Sequence, residues 1–204
     1  MITIVDYGVG NLKSIQNMLR KLGVSSRFTS DPAEVAEATK LILPGVGAFA
    51  HGIRQLQQRG LDVALRSRVL EDHVPILGIC LGMQLFCRRS EEGSVPGLGW
   101  LDADAVAFDR ARLREHDRVP HMAWTEISQA RGRLFSDAVT KPRFYFVHSY
   151  HVACDHPTDA TAWAVHGYPF VAAVERENIV GVQFHPEKSH RYGMEVLRNF
   201  ADHY

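Results

Sequence analysis

The chain has 204 residues, which suits one domain with a full core, and 46% of them are hydrophobic. Lysine plus arginine and aspartate plus glutamate number 23 each, so this balance gives no reason to expect nucleic acid or an anionic membrane as a partner. No apolar run approaches the ~20 residues of a membrane-spanning helix.

The first half of the chain alternates short apolar runs with helical patterns. In chain order the predicted elements are a strand at 2–5, a helix from the N-cap Asn11 to Leu22, a strand at 24–28, a short helix capped by Asp31 and Pro32, a strand at 41–43, a long helix within 49–70, a strand at 76–79 and a helix at 81–88. Continuous apolar strands that alternate with helices predict a parallel sheet with helices on both faces.

The second half is predicted to consist mostly of strands. It follows a glycine-rich break at 93–99, and its charged stretch at 109–118 is expected to be a solvated loop or helix face. Strands are predicted at 103–108, 144–147, 152–154, 161–165, 171–174 and 179–184, before a last helix at 189–200. We therefore expect a single α/β domain over residues 1–204, whose largely parallel central sheet is extended by antiparallel strands.

The cysteine, histidine and glycine patterns argue against a metal or dinucleotide cofactor. Three cysteines without Cys-x-x-Cys spacing favour a reduced, cytoplasmic protein. His148 and His151 have a separation that suits metal ligands, but no cysteine or acidic ligands cluster nearby. The glycines at 8 and 10 lack the third glycine of a dinucleotide-binding fingerprint, because position 13 is Lys13.

A cysteine between two glycines is the strongest sign of chemistry in the chain. The sequence Gly-Ile-Cys-Leu-Gly at 78–82 directly follows an apolar run, which is the pattern of a nucleophile elbow with Cys80 at its apex. The N-terminus of the following helix favours negative charge on the sulfur. A buried cysteine in an ordinary strand–helix turn remains the alternative for this motif taken alone.

A histidine and a carboxylate about a hundred residues later complete a possible catalytic set. His185 and Glu187 follow another apolar run, and the order Cys–His–acid suits a nucleophile, its base and the group that orients the base. The turn at 44–47 ends the strand before Cys80, so backbone N–H groups of Val46 or Gly47, with that of Leu81, are candidates for an oxyanion hole. A surface His–Glu pair and a plain glycine turn are the alternatives.

These motifs resemble the class I, triad-type glutamine amidotransferases. The resemblance is narrower to the glutaminase subunits of imidazole glycerol phosphate synthases, through Asp-Tyr-Gly-Val-Gly-Asn at 6–11, Leu-Pro-Gly-Val-Gly-Ala-Phe at 43–49, Phe-Tyr-Phe-Val-His-Ser-Tyr at 144–150 and Gly-Val-Gln-Phe-His-Pro-Glu-Lys-Ser at 181–189. It covers essentially the whole chain and implies a flavodoxin-like fold. It implies that Cys80, His185 and Glu187 hydrolyse glutamine to glutamate and ammonia.

The resemblance also implies a partner and further site residues. The partner is a cyclase subunit with a (β/α)8 barrel, which forms a heterodimer with the glutaminase, takes its ammonia and works in histidine biosynthesis. Implied glutamine-binding residues are Gly45, Gly47, Gln84, Ser149 and Tyr150. Implied partner-facing residues are Asn11, Met122, Trp124, Tyr145 and Lys188.

Three positions depart from the family pattern. The family usually has Gly-Trp-Asn after Pro-His-Met, whereas this chain has Ala123 and Thr125, and His151 follows the His-Ser-Tyr motif. The triad is unaffected, so the open alternatives concern the acceptor and the substrate. They are a glutaminase that serves another acceptor, such as a sugar amidotransferase, a Cys–His hydrolase or peptidase of other specificity, and a catalytically inactive interaction subunit.

Overall fold

The computed structural model describes residues 1–128, 130–135 and 141–204. Its strands are β1 (Ile2–Val5), β2 (Ser26–Thr29), β3 (Leu41–Gly45), β4 (Ile76–Cys80), β5 (Arg89–Ser90), β6 (Ala103–Ala107), β7 (His121–Glu126), β8 (Arg143–His148), β9 (Tyr150–Cys154), β10 (Ala160–His166), β11 (Tyr168–Arg176) and β12 (Ile179–Val182). Its α-helices are α1 (Leu12–Lys21), α2 (Pro32–Ala36), α3 (Phe49–Gln58), α4 (Leu61–Arg66), α5 (Leu81–Leu85) and α6 (His190–His203).

One large sheet runs through the molecule in the order β2-β1-β3-β4-β12-β11-β9-β6-β5, and β10 pairs with β11. The strands from β2 to β12 in this order are parallel, whereas β11 is antiparallel to β12, β10 and β9. The predicted parallel sheet with an antiparallel extension is therefore confirmed. Among the described residues, no helix combines the length and the apolar character needed to cross a membrane.

Two hydrophobic cores lie on opposite faces of this sheet. Neighbouring residues of β3 alternate between them, because successive side chains of a strand point to opposite faces: Leu41 and Leu43 pack with helices α2 to α5, while Ile42 packs with α1 and α6. The prediction of helices on both faces is thus confirmed. Burial of both faces also explains why β1, β3, β4 and β12 are buried along their whole length and are mostly apolar.

Two predicted helices are shorter than expected. The single long helix predicted within 49–70 is wrong, because Gly60 takes a left-handed φ of 67° that separates α3 from α4, and π-helical turns at Ser67–Glu71 follow. The helix predicted at 81–88 ends at Leu85, because the chain then turns to pair Arg89 with Asp104 in the short strand β5. Strand and helix boundaries elsewhere differ from the predictions by a few residues.

A second sheet consists of the two strands β7 and β8, of which only β8 is predicted from the sequence. β7 pairs with β8 in antiparallel register from His121–His148 to Glu126–Arg143. The central residues of β7 are exposed, so its sequence lacks the alternation of apolar and polar residues by which half-buried strands are identified. This small sheet stands beside the carboxyl end of β4, where the cavity described next opens.

Candidate active site

Cys80 occupies a strained backbone position at the end of β4. Its φ of 54° and ψ of −109° are uncommon for a residue other than glycine, and α5 begins at the next residue. The flanking glycines are required by close packing: a Cβ at Gly82 would overlap the carbonyl of Leu43, and one at Gly78 would lie 2.7 Å from the backbone nitrogen of Met83. The local geometry is that of the predicted elbow.

His185 is brought to Cys80 by the neighbouring strand. β12 pairs in parallel with β4, so Val182 lies opposite Ile79 and the two strands end at the same edge of the sheet. The His185 backbone N–H donates to the Tyr145 carbonyl at 2.9 Å. Ser189 secures the same turn, because its hydroxyl donates to the His185 carbonyl at 2.6 Å and accepts from the Tyr145 N–H at 3.0 Å.

His185 and Glu187 form a buried ion pair. The Nδ1–H of His185 donates to Oε1 of Glu187 at 2.8 Å, and the two side chains are 1% and 2% exposed. Among the described residues, none forms a hydrogen bond with the buried Nε2 of His185, whose ring lines the cavity. Burial lowers the pKa of His185, but the interactions with Cys80 and Glu187 outweigh burial and raise it to about 10. The imidazole is therefore suited to hold and release a proton beside the sulfur.

The Cys80 sulfur itself has two further contacts. Its Sγ donates to the Val147 carbonyl at 3.9 Å and accepts from Nε2 of the fully buried Gln183 at 3.6 Å. Gln183 thus provides a buried hydrogen-bond donor to the sulfur. Nothing in the sequence indicates this role separately, because Gln183 stands in the same motif as His185.

A cavity of about 350 Å³ opens above the sulfur. Gly45 is the one implied glutamine-binding residue outside its lining, because it is buried in β3 directly opposite Cys80. Val46 and Gly47, the candidate oxyanion residues, do line it, and Gly47 has a φ of 90°. The full lining is Val46, Gly47, Ala48, Cys80, Leu81, Gln84, Glu92, Pro120, Val147, His148, Ser149, Tyr150 and His185.

Glu92 is a site residue that the sequence analysis missed. It is the carboxylate of the cavity lining, and its Oε2 accepts from the Phe49 backbone N–H at 2.7 Å. It lies in the turn after β5 and belongs to none of the sequence motifs described above. Its position indicates that this end of the cavity suits a cationic group.

The histidines considered as metal ligands have other partners. Nε2 of His151 lies 3.1 Å from the Tyr168 hydroxyl, and Nδ1 of His148 donates to the Tyr150 carbonyl at 2.8 Å. Within the described ranges, no group of three or more histidine, cysteine, aspartate or glutamate side chains is arranged to hold a metal ion. Both rings instead pack around Phe108 in an aromatic cluster.

Four of the implied partner-facing residues form one surface patch. Met122 and Trp124 on β7 are 61% and 38% exposed, and Trp124 is paired with Tyr145 on β8. The Lys188 ammonium lies 5.4 Å from the centre of the Tyr145 ring. Asn11 is exposed at the start of α1, a helix that packs against the turn containing Lys188.

The chain is similar over nearly its whole length to proteins of one family. The family described as glutamine amidotransferase class-I matches residues 3–204. The chain is 44% identical to imidazole glycerol phosphate synthase subunit HisH 2 of Pseudomonas aeruginosa, over 99% of each chain. It is 46% identical to the HisH subunit of that synthase from Moorella thermoacetica, over 98% of this chain and 94% of the relative.

Solved structures share the fold at lower identity. The structure of PurLQS from Thermotoga maritima superposes with a TM-score of 0.69 at 18% identity and covers 98% of this chain and 96% of its own. A crystal structure of a glutamine amidotransferase superposes with a TM-score of 0.67, also at 18% identity, over 97% of this chain and 100% of its own. The predicted fold class is confirmed by these likenesses.

Proposed function

The chain belongs to the class I glutamine amidotransferases and, among them, to the HisH subunits of imidazole glycerol phosphate synthase, and from this membership we propose that its cavity hydrolyses glutamine at Cys80. The observation that carries the proposal is the placement of Cys80 and the His185–Glu187 pair at the ends of two hydrogen-bonded parallel strands. A nucleophile, a base and a group that orients the base are what acyl transfer from an amide requires.

The reaction follows from this geometry. His185 takes the proton of the Cys80 thiol, and the resulting thiolate attacks the side-chain amide carbon of glutamine. The negative charge on the amide oxygen is stabilised by the Leu81 N–H and an N–H of Val46 or Gly47. Protonated His185 gives its proton to the leaving nitrogen, so ammonia departs and a thioester remains. Neutral His185 then takes a proton from the water that attacks the thioester and gives this proton to the departing sulfur, so glutamate is released and the Cys80 thiol is restored.

The substrate's other end fits the charge of the cavity. Glutamine carries an α-ammonium group, and Glu92 is the carboxylate that faces the cavity. Gln84, Ser149 and Tyr150 supply polar contacts along the same lining. The pocket therefore offers the α-ammonium group of glutamine a charged contact. An apolar side chain of a peptide has no such group and could not make this contact.

The ammonia passes to a second subunit, a cyclase with a (β/α)8 barrel, in the cytoplasm. There it joins a ring-opened ribonucleotide and gives imidazole glycerol phosphate and an aminoimidazole carboxamide ribonucleotide, in histidine biosynthesis. Direct transfer is needed because ammonia in neutral water is mostly ammonium, which is not a nucleophile. The patch around Trp124 is the surface that we assign to this partner.

The test is glutamate release from glutamine by the purified chain, measured with and without a cyclase subunit. We expect release that rises when the cyclase and its nucleotide are present. Release that requires a sugar-modifying synthetase instead would assign a different acceptor. Cleavage of small peptides without glutamine hydrolysis would contradict the proposal.

We expect Glu92→Gln to raise the KM for glutamine about 10- to 100-fold with little change in kcat, since it removes a charge-assisted contact worth about 1.5–3 kcal/mol. The substitution keeps an oxygen that can accept from Phe49. Steady-state kinetics check it. Glu91→Gln is the matched control, because Glu91 accepts from Ala107 and does not line the cavity. Equal KM values for the two variants would contradict the role of Glu92.

We expect Trp124→Ala to weaken binding of the cyclase subunit at least about tenfold, because exposed aromatic side chains often anchor interfaces. The Trp124 ring is stacked on the His190 ring, with centroids 5.4 Å apart, and this packing fixes its orientation at the surface. Calorimetric titration measures the Kd. Val63→Ala removes an exposed apolar side chain from α4 and serves as the control. An unchanged Kd for Trp124→Ala would show that Trp124 does not contribute to the interface.

A further inference from the structure

A chain of hydrogen bonds runs from the surface strand β7 to the two glutamines beside the nucleophile. It begins at the Thr125 hydroxyl, 3.0 Å from Nε2 of His121, and continues from Nδ1 of His121 to Nε2 of His148 over 3.1 Å. Nδ1 of His148 lies 2.8 Å from the Tyr150 carbonyl. That carbonyl also accepts from Nε2 of Gln84 at 2.9 Å.

The chain ends at the sulfur. The same Gln84 nitrogen donates to Oε1 of Gln183 at 3.0 Å, and Nε2 of Gln183 donates to the Cys80 sulfur at 3.6 Å. Gln84 and Gln183 are 5% and 0% exposed, so both amides depend on these partners rather than on solvent. One network thus joins the five elements β7, β8, β9, α5 and β4, together with Gln183, which directly follows β12.

The direction of every bond in the network follows from chemistry. A carbonyl only accepts, so His148 must carry its proton on Nδ1 and, when neutral, accepts at Nε2. His121 must then donate from Nδ1 and accept at Nε2, where the Thr125 hydroxyl donates. Burial, reinforced by the neighbouring His166, lowers the pKa of His121 to about 4, and burial holds the pKa of His148 well below its ordinary value, so both rings are neutral at pH 7.

We propose that Thr125 and His121 are positioning residues for glutamine hydrolysis, which act through His148 on Gln84 and Gln183. With both amide protons of Gln84 engaged inward, its Oε1 atom is the one presented to the substrate. Gln84 therefore acts as an acceptor toward the amino groups of glutamine. Gln183 is held in the orientation that donates to the sulfur. This inference rests on the proposed function, and it gives a role to Thr125, one of the departures from the family pattern.

The test combines kinetics with a spectroscopic readout. Thr125→Val keeps the shape of the side chain and loses the hydroxyl, whereas Thr125→Ser keeps the hydroxyl. We expect Thr125→Val to lower kcat/KM for glutamine about two- to tenfold, which is the contribution of one hydrogen bond, and Thr125→Ser to keep the original value. In ¹⁵N-histidine spectra of the full chain, His121 and His148 are expected as Nδ1–H tautomers, assigned with single His→Asn variants. Thr125→Val is expected to shift the Nε2 resonance of His121, which loses its hydrogen-bond donor, while the bond to His148 keeps the tautomer unchanged.

The outcomes are separable. An Nε2–H tautomer at His121 or His148 in the unsubstituted chain overturns the inference, whatever the activity. An unchanged kcat/KM in Thr125→Val also overturns it. A folded chain with Nδ1–H tautomers that releases no glutamate with any cyclase subunit contradicts the proposed function instead, and leaves the tautomer result standing.

Discussion

Cys80→Ala is expected to lower glutamine hydrolysis at least about 10⁴-fold, because the covalent route is lost when the nucleophile is removed. No other cysteine, serine or threonine shares the elbow position at the end of β4. Binding of the cyclase subunit should be unchanged, since Cys80 is 6% exposed and lies at the base of the cavity. Synthesis from a high concentration of ammonium salt should also persist, because the cyclase needs only ammonia.

Cys80→Ser serves as the control that separates loss of the nucleophile from loss of stability. It keeps an acceptor for the Gln183 amide, whereas alanine leaves that buried donor unpaired at a cost of about 1–3 kcal/mol. Thermal unfolding should therefore rank serine above alanine, while both are inactive with glutamine. Glutaminase activity in the alanine variant at the level of the original chain would contradict the assignment of Cys80.

The second large effect concerns the oxyanion donors. We expect the chain alone to be a poor glutaminase and the cyclase with its nucleotide to stimulate it about 10²–10³-fold, the worth of one oxyanion donor. Gly45 leaves the peptide that it shares with Val46 free to rotate, because it has no side chain. If partner binding turns the Val46 N–H toward the cavity, glutamine is consumed only when an acceptor is present. That would couple the two sites through a two-state element.

Two substitutions at one exposed position test this donor. Val46→Pro removes the N–H itself, so the stimulated rate should fall about 10²–10³-fold. Val46→Ala keeps the N–H and should keep the stimulation, and the 41% exposure of Val46 indicates that the smaller side chain is tolerated. Rates are compared for the chain alone, with the empty cyclase and with the nucleotide-loaded cyclase. Equal rates in all three would refute the switch.

Local patterns were sufficient to predict the centre of the fold. The strands ending at Gly45, Cys80 and Val182 are short apolar runs that end in turn residues, and burial on both faces leaves them no polar alternation. The elbow was identifiable because the glycines at 78 and 82 are needed for contacts made within a few residues of Cys80 or with the adjacent strand. The spacing of His185 and Glu187 likewise reflects a contact between near neighbours in sequence.

Features made by distant segments were not predictable in this way. His121 and His148 are 27 residues apart, and their contact depends on the register of β7 with β8, a strand pair whose first member has no buried alternation. Glu92 reaches the cavity because the chain turns back after α5 and bonds to the start of α3. The break at Gly60 was missed because an isolated glycine within a helical pattern does not by itself end a helix.

The position of β12 has a consequence for how the protein is made. It is the last strand in the chain, yet it lies between β4 and β11 in the sheet. A ribosome delivers the N-terminal strands first, so β4 and β11 have open edges until residues 179–182 emerge, and open edges invite pairing with other chains. Insertion of β12 closes both edges and brings His185 to Cys80 in the same step. The nascent chain therefore gains His185, the proposed base, only when its sheet becomes complete, and we expect a product truncated before β12 to lack glutaminase activity and to aggregate.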